Sequence, residues 1–186
     1  MQRFSLVFVT AGLALVAGLA LAAAEGVVRK GALTSFVATP MAQFDEPWAM
    51  TLLPDGRLLG TEKRGTLKLH TIGGASIQIA GVPAVAYGGQ GGLGDVILHP
   101  RFASNNLVYL SYAEAGDGGL RGAAVARARL DVAAARLVEV KVIWRQVPKF
   151  SGQGHYGHRM VFDREGKLWL SSSERQQFTP AQDMSS

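Results

Sequence analysis

Residues 149–171 read KFSGQGHYGHRMVFDREGKLWLS, and they contain a pattern that recurs along the chain. A glycine-rich loop carrying His155 runs into an alternating apolar segment, a turn at Gly166 and a second alternating segment. Alternation of apolar and polar residues around a glycine turn predicts a β-hairpin. A loop at the start of a rigid strand is a common place for binding and catalytic groups. A surface hairpin with two solvated histidines, His155 and His158, would show the same pattern.

The same strand–turn–strand pattern occurs twice earlier in the chain. The predicted strands are 48–53, 57–62 and 66–70 in the first copy, and 93–99, 107–112, 123–130 and 137–143 in the second. The turns near Gly56, Asn106 and Gly166 lie about 50 and 60 residues apart, which is the period of a β-propeller blade with its loops. An unrelated series of hairpins in a sandwich or barrel is the alternative.

The repeat predicts an all-β fold made of four-stranded antiparallel blades. Three copies cannot close a ring, because small propellers need at least about four blades. We therefore expect an incomplete propeller, of which this chain covers about three blades and which belongs to a longer protein. Equivalent loops of a propeller converge at one end of its channel, so Gln90 and His155 are expected to face a common cavity.

The first 24 residues have the pattern of a secretory signal peptide. A basic residue, Arg3, precedes an apolar run that ends in small residues, with cleavage predicted after Ala22 or Ala24. An uncleaved membrane anchor is the alternative. We predict a periplasmic or secreted protein with a lead-in segment at 25–46, a short strand at 35–38 and the propeller portion at 47–186.

Charge and cysteine content exclude some classes of protein. The formal net charge is +5, and the basic residues are not clustered, so nucleic acid is not an expected partner. The chain contains no cysteine, which argues against a small domain held together by disulfides. Once the signal is removed, no stable membrane span is expected.

Several spaced motifs together are more specific than any one of them. They are Pro47-Trp48-Ala49-Met50, Gly89-Gln90-Gly91-Gly92-Leu93, His99-Pro100-Arg101-Phe102 and Gly154-His155-Tyr156-Gly157-His158-Arg159-Met160-Val161-Phe162. In this order they closely resemble the glucose/sorbosone dehydrogenase family, whose members are periplasmic quinoprotein aldose sugar dehydrogenases. The resemblance extends from about Glu46 to about Asp183.

The resemblance implies a six-bladed β-propeller with pyrroloquinoline quinone (PQQ) and calcium at the top of its channel. Such enzymes oxidise the C1 hydroxyl of an aldose to a lactone and pass the electrons to a quinone or a redox protein. By position, His155 resembles the family's general base, and Gln90, His155 and Arg159 would lie at the cofactor. A structural pair between Arg159 and Asp163, or a loop carbonyl, is the alternative for this arginine.

The sequence also departs from the family pattern. Gly154 replaces the usual Asp or Asn before the histidine, His158 stands where Gly is usual, and Ser173 replaces the Gly of a strand-ending turn. The calcium ligands are expected in later blades, so no metal ligand is assigned in this chain. The carboxylates Asp95, Asp117 and Glu174 are interpreted as turn or strand-end groups.

Two functions follow from these observations. The first is a quinoprotein sugar dehydrogenase, of which these 186 residues alone are expected to be inactive because the cofactor site would be half built. The second is a non-catalytic, propeller-type carbohydrate-binding or interaction protein, which the departures at Gly154 and His158 favour slightly.

Overall fold

The computed structural model describes residues 27–30 and 35–185, with side chains from residue 38 onward. The chain divides into two compact units, Met1–Pro40 and Met41–Ser186. In the first unit, β1 (Val27–Lys30) pairs antiparallel with β2 (Ser35–Ala38), which confirms the strand expected at 35–38. The predicted signal peptide lies outside the described residues.

The second unit is built of antiparallel sheets formed by strands consecutive in sequence. The first sheet contains β3 (Pro47–Leu52), β4 (Leu58–Glu62), β5 (Thr66–His70) and β6 (Ser76–Ile79). The second contains β7 (Leu93–Leu98), β8 (Leu107–Ala115), β9 (Arg121–Asp131) and β10 (Arg136–Arg145). The third contains β11 (Gly157–Phe162) and β12 (Leu168–Ser172). The all-β prediction with four-stranded antiparallel sheets is thus confirmed, and the number of blades in the intact protein stays a prediction.

Among the described residues, helical structure is confined to short segments. These are α1 (Phe102–Asn105) and two 3-10 turns, Asp117–Gly119 and Thr179–Gln182. The sequence predicted only a polar turn between β7 and β8, and α1 forms there. Asn106 ends this helix in the left-handed conformation, with its N–H donating to the Phe102 carbonyl.

The strands β7, β8 and β9 of the second sheet are buried on both faces, whereas most of its outer strand β10 is exposed. Leu59, Leu67 and Leu69 of the first sheet lie in the same apolar core as Leu110 and Ala126 of the second. On the other side, the third sheet contributes Met160, Phe162 and Leu170 to a cluster with Tyr109 and Val125. Burial on both faces explains why residues 107–113, LVYLSYA, form a nearly continuous apolar run instead of alternating.

The first strands of the three sheets lie side by side, with β7 in contact with both β3 and β11. Each first strand leads into a turn that we name a lower turn: residues 53–57, 99–106 and 163–167. We name the segments before β7 (80–92), before β11 (146–156) and after β12 (173–178) the upper loops. The candidate functional residues lie on these upper loops and at the starts of the first strands.

Candidate active site

Gln90 and His155 lie next to each other, as the repeat predicted. The Gln90 backbone N–H donates to the Gln153 carbonyl at 2.7 Å, and the His155 backbone N–H donates to Gln90 Oε1 at 2.7 Å. Two upper loops far apart in sequence are therefore joined by hydrogen bonds in both directions. The Gln90 carboxamide remains exposed, and its nitrogen has no partner among the described residues.

Glycines allow these loops to approach each other. Gly89 has φ +55°, and a Cβ there would lie 2.5 Å from Gln153 Cβ and 2.6 Å from the Gln153 carbonyl oxygen. Gly92 has φ +134°, and a Cβ there would overlap the Lys63 carbonyl oxygen, which accepts the Leu93 N–H at 2.9 Å. Only glycine combines these backbone angles with such close contacts.

His155 pairs with a carboxylate that comes from another part of the chain. Its Nδ1 contacts Oε1 of Glu174, the second residue after β12. The imidazole is 39% exposed and the Glu174 side chain 12% exposed. The hydrogen bond with His155 lowers the pKa of Glu174. A carboxylate at Nδ1 favours the tautomer that is protonated there, so Nε2 remains as an acceptor, and it has no hydrogen-bond partner among the described residues.

The sequence has Gly154, and no Asp or Asn, before the histidine, and in the structure the carboxylate in contact with this imidazole is that of Glu174. Sequence reasoning interpreted Glu174 only as a strand-end carboxylate, a position that the structure confirms. Its contact with His155 was missed. Nothing in the local sequence indicates it, since the two residues meet only when the third sheet has formed.

Arg175, the residue after Glu174, was also missed. It is 1% exposed. Its guanidinium donates to three backbone carbonyls, those of Gly154 (Nε, 2.8 Å), Arg121 (Nη1, 2.5 Å) and Gly152 (Nη2, 3.0 Å). The guanidinium carbon also lies 3.7 Å from the centre of the Tyr156 ring. Only the position beside a candidate carboxylate could have suggested a role for this residue.

Arg159 pairs with Asp95, not with Asp163 or a loop carbonyl. Its Nη1 lies 3.2 Å from Asp95 Oδ1, and its guanidinium carbon lies 5.0 Å from the Trp48 ring centre. The prediction of a structural ion pair was therefore right in kind and wrong in partner. Asp163 instead accepts hydrogen bonds from Trp169 Nε1 and the Lys167 N–H.

The interpretation of Asp95 as a turn or strand-end carboxylate was wrong. Asp95 lies within β7 and is 1% exposed. Its Oδ2 accepts the Met160 N–H at 2.8 Å, so the carboxylate joins β7 to β11. Asp117, by contrast, lies in a 3-10 turn as expected.

His158 is not a solvated loop residue. It is the second residue of β11 and is 2% exposed. The ring stacks on Tyr156 at a centroid distance of 5.3 Å and meets the Trp48 ring edge-on at 5.7 Å. Neither ring nitrogen has a hydrogen-bond partner within the part of the chain that the structure describes. Burial, with a smaller effect of the Arg175 charge, lowers the pKa of His158 to about 4.

Two open cavities flank these residues. One, of about 420 Å³, is lined by Trp48, Thr61 and Arg159 among others. The other, of about 750 Å³, is lined by Gln146, Phe150 and Glu174 among others.

Within residues 38–185, no three or more His, Cys, Asp or Glu side chains form a group able to hold a metal ion. No described helix has the length and apolar character needed to cross a membrane.

Comparison with known proteins agrees with the motifs. Residues 44–186 match the model of the glucose/sorbosone dehydrogenase family. The chain is 41% identical over 144 residues to the aldose sugar dehydrogenase YliI of Escherichia coli (strain K12), a match covering 76% of this chain and 39% of that protein. The chain thus spans about two fifths of the length of this curated relative.

Solved structures give the same result. A glucose dehydrogenase matches with a TM-score of 0.74 and 43% identity, over 77% of this chain and 46% of that one. The PQQ-bound form of the aldose sugar dehydrogenase from Streptomyces coelicolor matches with a TM-score of 0.70 and 25% identity, over 86% of this chain and 46% of that one. The chain therefore belongs to the glucose/sorbosone dehydrogenase family.

Proposed function

We propose that the intact protein is a PQQ-dependent aldose sugar dehydrogenase that oxidises the C1 hydroxyl of its substrate to a lactone. The observation that carries this proposal is the His155–Glu174 pair at the junction of two upper loops. The names of the relatives support it, since two are aldose sugar dehydrogenases and one of these was solved with PQQ bound.

His155 is the proposed general base. With Nδ1 engaged by Glu174, Nε2 is the nitrogen that can accept the proton of the sugar hydroxyl. Glu174 holds the ring in this orientation and stabilises the imidazolium that forms when the proton arrives. The quinone, when bound, would supply the acceptor for the hydride that leaves C1, and an external quinone or redox protein would then take the electrons.

The residues present fit a flat, polyanionic quinone. Gln90 offers an exposed carboxamide nitrogen, and His155 a partly exposed imidazole. The Arg159 side chain is 65% exposed, and of its guanidinium only Nη1 is hydrogen-bonded among the described residues, so further N–H groups remain for a carboxylate. These three residues are the proposed cofactor-binding groups of this chain. The expectation of calcium rests on the family resemblance alone.

The two departures that favoured a non-catalytic binding protein have structural explanations. The orienting carboxylate missing at Gly154 is provided by Glu174, and His158 packs in the interior between aromatic rings. We further propose that the protein is exported to the periplasm through its signal sequence, that residues 47–186 form part of a six-bladed propeller, and that these residues alone lack dehydrogenase activity.

The test uses the intact protein loaded with PQQ and calcium. We expect sugar-dependent reduction of an acceptor dye, and a loss of about 10²- to 10⁴-fold in turnover for His155→Ala, with sugar binding retained in calorimetry. The matched control is His99→Gln, which changes a histidine of a lower turn and should leave turnover unchanged. Unchanged turnover in His155→Ala would remove the assigned base. Sugar binding without oxidation by the unmodified protein would establish the non-catalytic alternative.

A further inference from the structure

Arg175 is buried against the loop that carries His155, and the sequence motifs gave it no role. We propose that Arg175 is a positioning residue that holds His155 and Glu174 in the geometry needed for proton transfer. This inference rests on the proposed function and deepens it, since it concerns the same site.

A buried guanidinium loses its hydration and needs compensating partners. Arg175 has no carboxylate partner among the described residues, because none of the ion pairs found there includes it. Its charge is instead compensated by three carbonyl groups and the face of Tyr156. The guanidinium is planar and its N–H donors have fixed directions, so hydrogen bonds to three carbonyls fix the positions of those backbone segments. Compensation of the charge alone would not require this geometry.

Two of the three carbonyls belong to the loop before β11. The Gly154 carbonyl is part of the peptide bond to His155, so the Nε contact at 2.8 Å fixes the peptide on which the imidazole is carried. The Gly152 carbonyl fixes the loop two residues earlier. The third carbonyl, that of Arg121, lies at the start of β9, which anchors the loop to the rigid second sheet.

Arg175 also fixes the position of Glu174, its neighbour in the chain. Its backbone N–H donates to the His155 carbonyl at 3.3 Å. Arg175 and Gln176 have φ values of +55° and +62°, and His155 has φ +51°. Side chains rarely adopt this left-handed region, and surrounding contacts are needed to hold them there. The buried side chain of Arg175 therefore restrains the loop that carries His155, and its backbone restrains the segment that carries Glu174.

Gln90 restrains the same loop from the opposite side, through the His155 N–H. It is exposed at the proposed ligand site, whereas Arg175 is enclosed by protein. Loss of the Arg175 side chain should therefore disturb the alignment of His155 while leaving the other two proposed ligand-binding groups, Gln90 and Arg159, in place. The expected kinetic consequence is a lower kcat with little change in KM.

The experiment compares Arg175→Met and Arg175→Lys with the control Arg145→Met in the intact, PQQ- and calcium-loaded protein. Arg145 is an exposed arginine that pairs with Glu114. We expect kcat to fall about 100-fold in Arg175→Met with KM within about threefold of the original. Arg175→Lys should be intermediate, because an ammonium group lacks the planar fork that reaches three carbonyls. In Arg145→Met, kcat and KM should be unchanged.

A second readout does not depend on turnover. Nitrogen NMR of ¹⁵N-histidine-labelled protein, assigned with His155→Ala, reports which ring nitrogen of His155 carries the proton. The Nδ1-protonated tautomer should dominate in the unmodified protein and in Arg145→Met, and should become mixed in Arg175→Met.

The outcomes separate the two proposals. A folded Arg175→Met with normal kcat and an unchanged tautomer would overturn the positioning role, and so would a change confined to KM. If Arg175→Met fails to fold, Arg175→Lys decides by the same two readouts. If the unmodified protein oxidises no sugar, the proposed function fails, while the tautomer comparison still tests whether Arg175 positions His155.

Discussion

The lower turns and the upper loops are held together by different kinds of hydrogen bond. In the lower turns, the bonded residues are close in sequence, as in Gly56 N–H to the Leu53 carbonyl and Lys167 N–H to Asp163 Oδ1. In the upper loops, the bonds join His155 to Gln90 and Arg175 to Arg121, which lie 65 and 54 positions apart.

This difference separates the parts that specify the fold from the parts that form the site. A lower turn can form largely within its own hairpin, because most of its hydrogen-bond partners are local; an exception is the Asn106 carbonyl, which accepts from the Leu130 N–H. An upper loop acquires its conformation only after the sheets have packed. Strained backbone angles accumulate there, at His155, Arg175 and Gln176, where surrounding contacts can maintain them.

The largest effect is expected from replacing a glycine of an upper loop. Gly92→Ala places a Cβ against the Lys63 carbonyl oxygen at φ +134°, and neither backbone can move without breaking the Leu93–Lys63 hydrogen bond. We expect a loss of about 3 kcal/mol or more in the free energy of unfolding, measured in urea, together with loss of sugar oxidation.

The matched control is Gly56→Ala in a lower turn. Gly56 has φ +83° but no atom within 4 Å of the added Cβ, so only conformational strain is introduced. The expected loss is about 1 kcal/mol, with turnover retained. Equal losses in the two variants would show that the upper loops are no more constrained than the lower turns.

The same contrast explains how much the sequence could predict. Pro54 presets its own φ and Gly56 accepts a positive φ, so the hairpins and the repeat could be predicted from local residues. Gln90 and His155 could be predicted to meet because they occupy equivalent places in successive repeats. The partners Glu174 and Asp95 could not, since their contacts to His155 and Arg159 depend on how separate strands pack.

The second-largest effect is expected from a change at a carboxylate of the third sheet. Glu174 follows β12, and Asp163 lies in the turn between β11 and β12. Glu174→Gln removes the charged partner of His155 Nδ1, and we expect turnover to fall by about 100-fold with sugar binding retained. Asp163→Asn weakens bonds to Trp169 and Lys167 in a lower turn, so it should lower the melting temperature while turnover stays unchanged. Normal turnover in Glu174→Gln would argue against a catalytic role for the His155–Glu174 pair.

The third effect is a pH dependence of stability that arises from His158. Its pKa is lowered to about 4 by burial, whereas the unfolded chain binds this proton below about pH 6.5. Stability should therefore be lost as the pH falls from about 6.5 towards 4, by about 1.4 kcal/mol per pH unit. His158→Leu removes this contribution.

Urea unfolding at pH 7 and pH 5 measures the difference. Between pH 7 and pH 5, the free energy of unfolding should fall by about 2 kcal/mol more in the unmodified protein than in His158→Leu. Carboxylates that titrate near pH 5 are present in both proteins, so the comparison isolates the imidazole. Identical pH dependence would mean that His158 finds a hydrogen-bond partner when it is protonated.

The smallest effect is expected at Gly154, although it lies directly before the proposed base. A Cβ there would come within 2.7 to 2.9 Å of three atoms, all of them in the carboxamide of Gln176. Gln176 is exposed, so its end group can move into solvent, and Gly154 does not have a positive φ. Gly154→Ala should therefore cost less than about 1 kcal/mol and leave turnover nearly unchanged.

Combining Gly154→Ala with Gln176→Ala tests this explanation by a double-mutant cycle. If the carboxamide is the only obstacle, the small cost of Gly154→Ala should disappear when Gln176 is shortened. If the loss of unfolding free energy persists in the double variant, the backbone held by the Arg175–Gly154 hydrogen bond, and not the Gln176 side chain, limits the space for the added Cβ. The loop before His155 would then be constrained at Gly154 by backbone contacts, as the neighbouring loop is at Gly92, although less strongly.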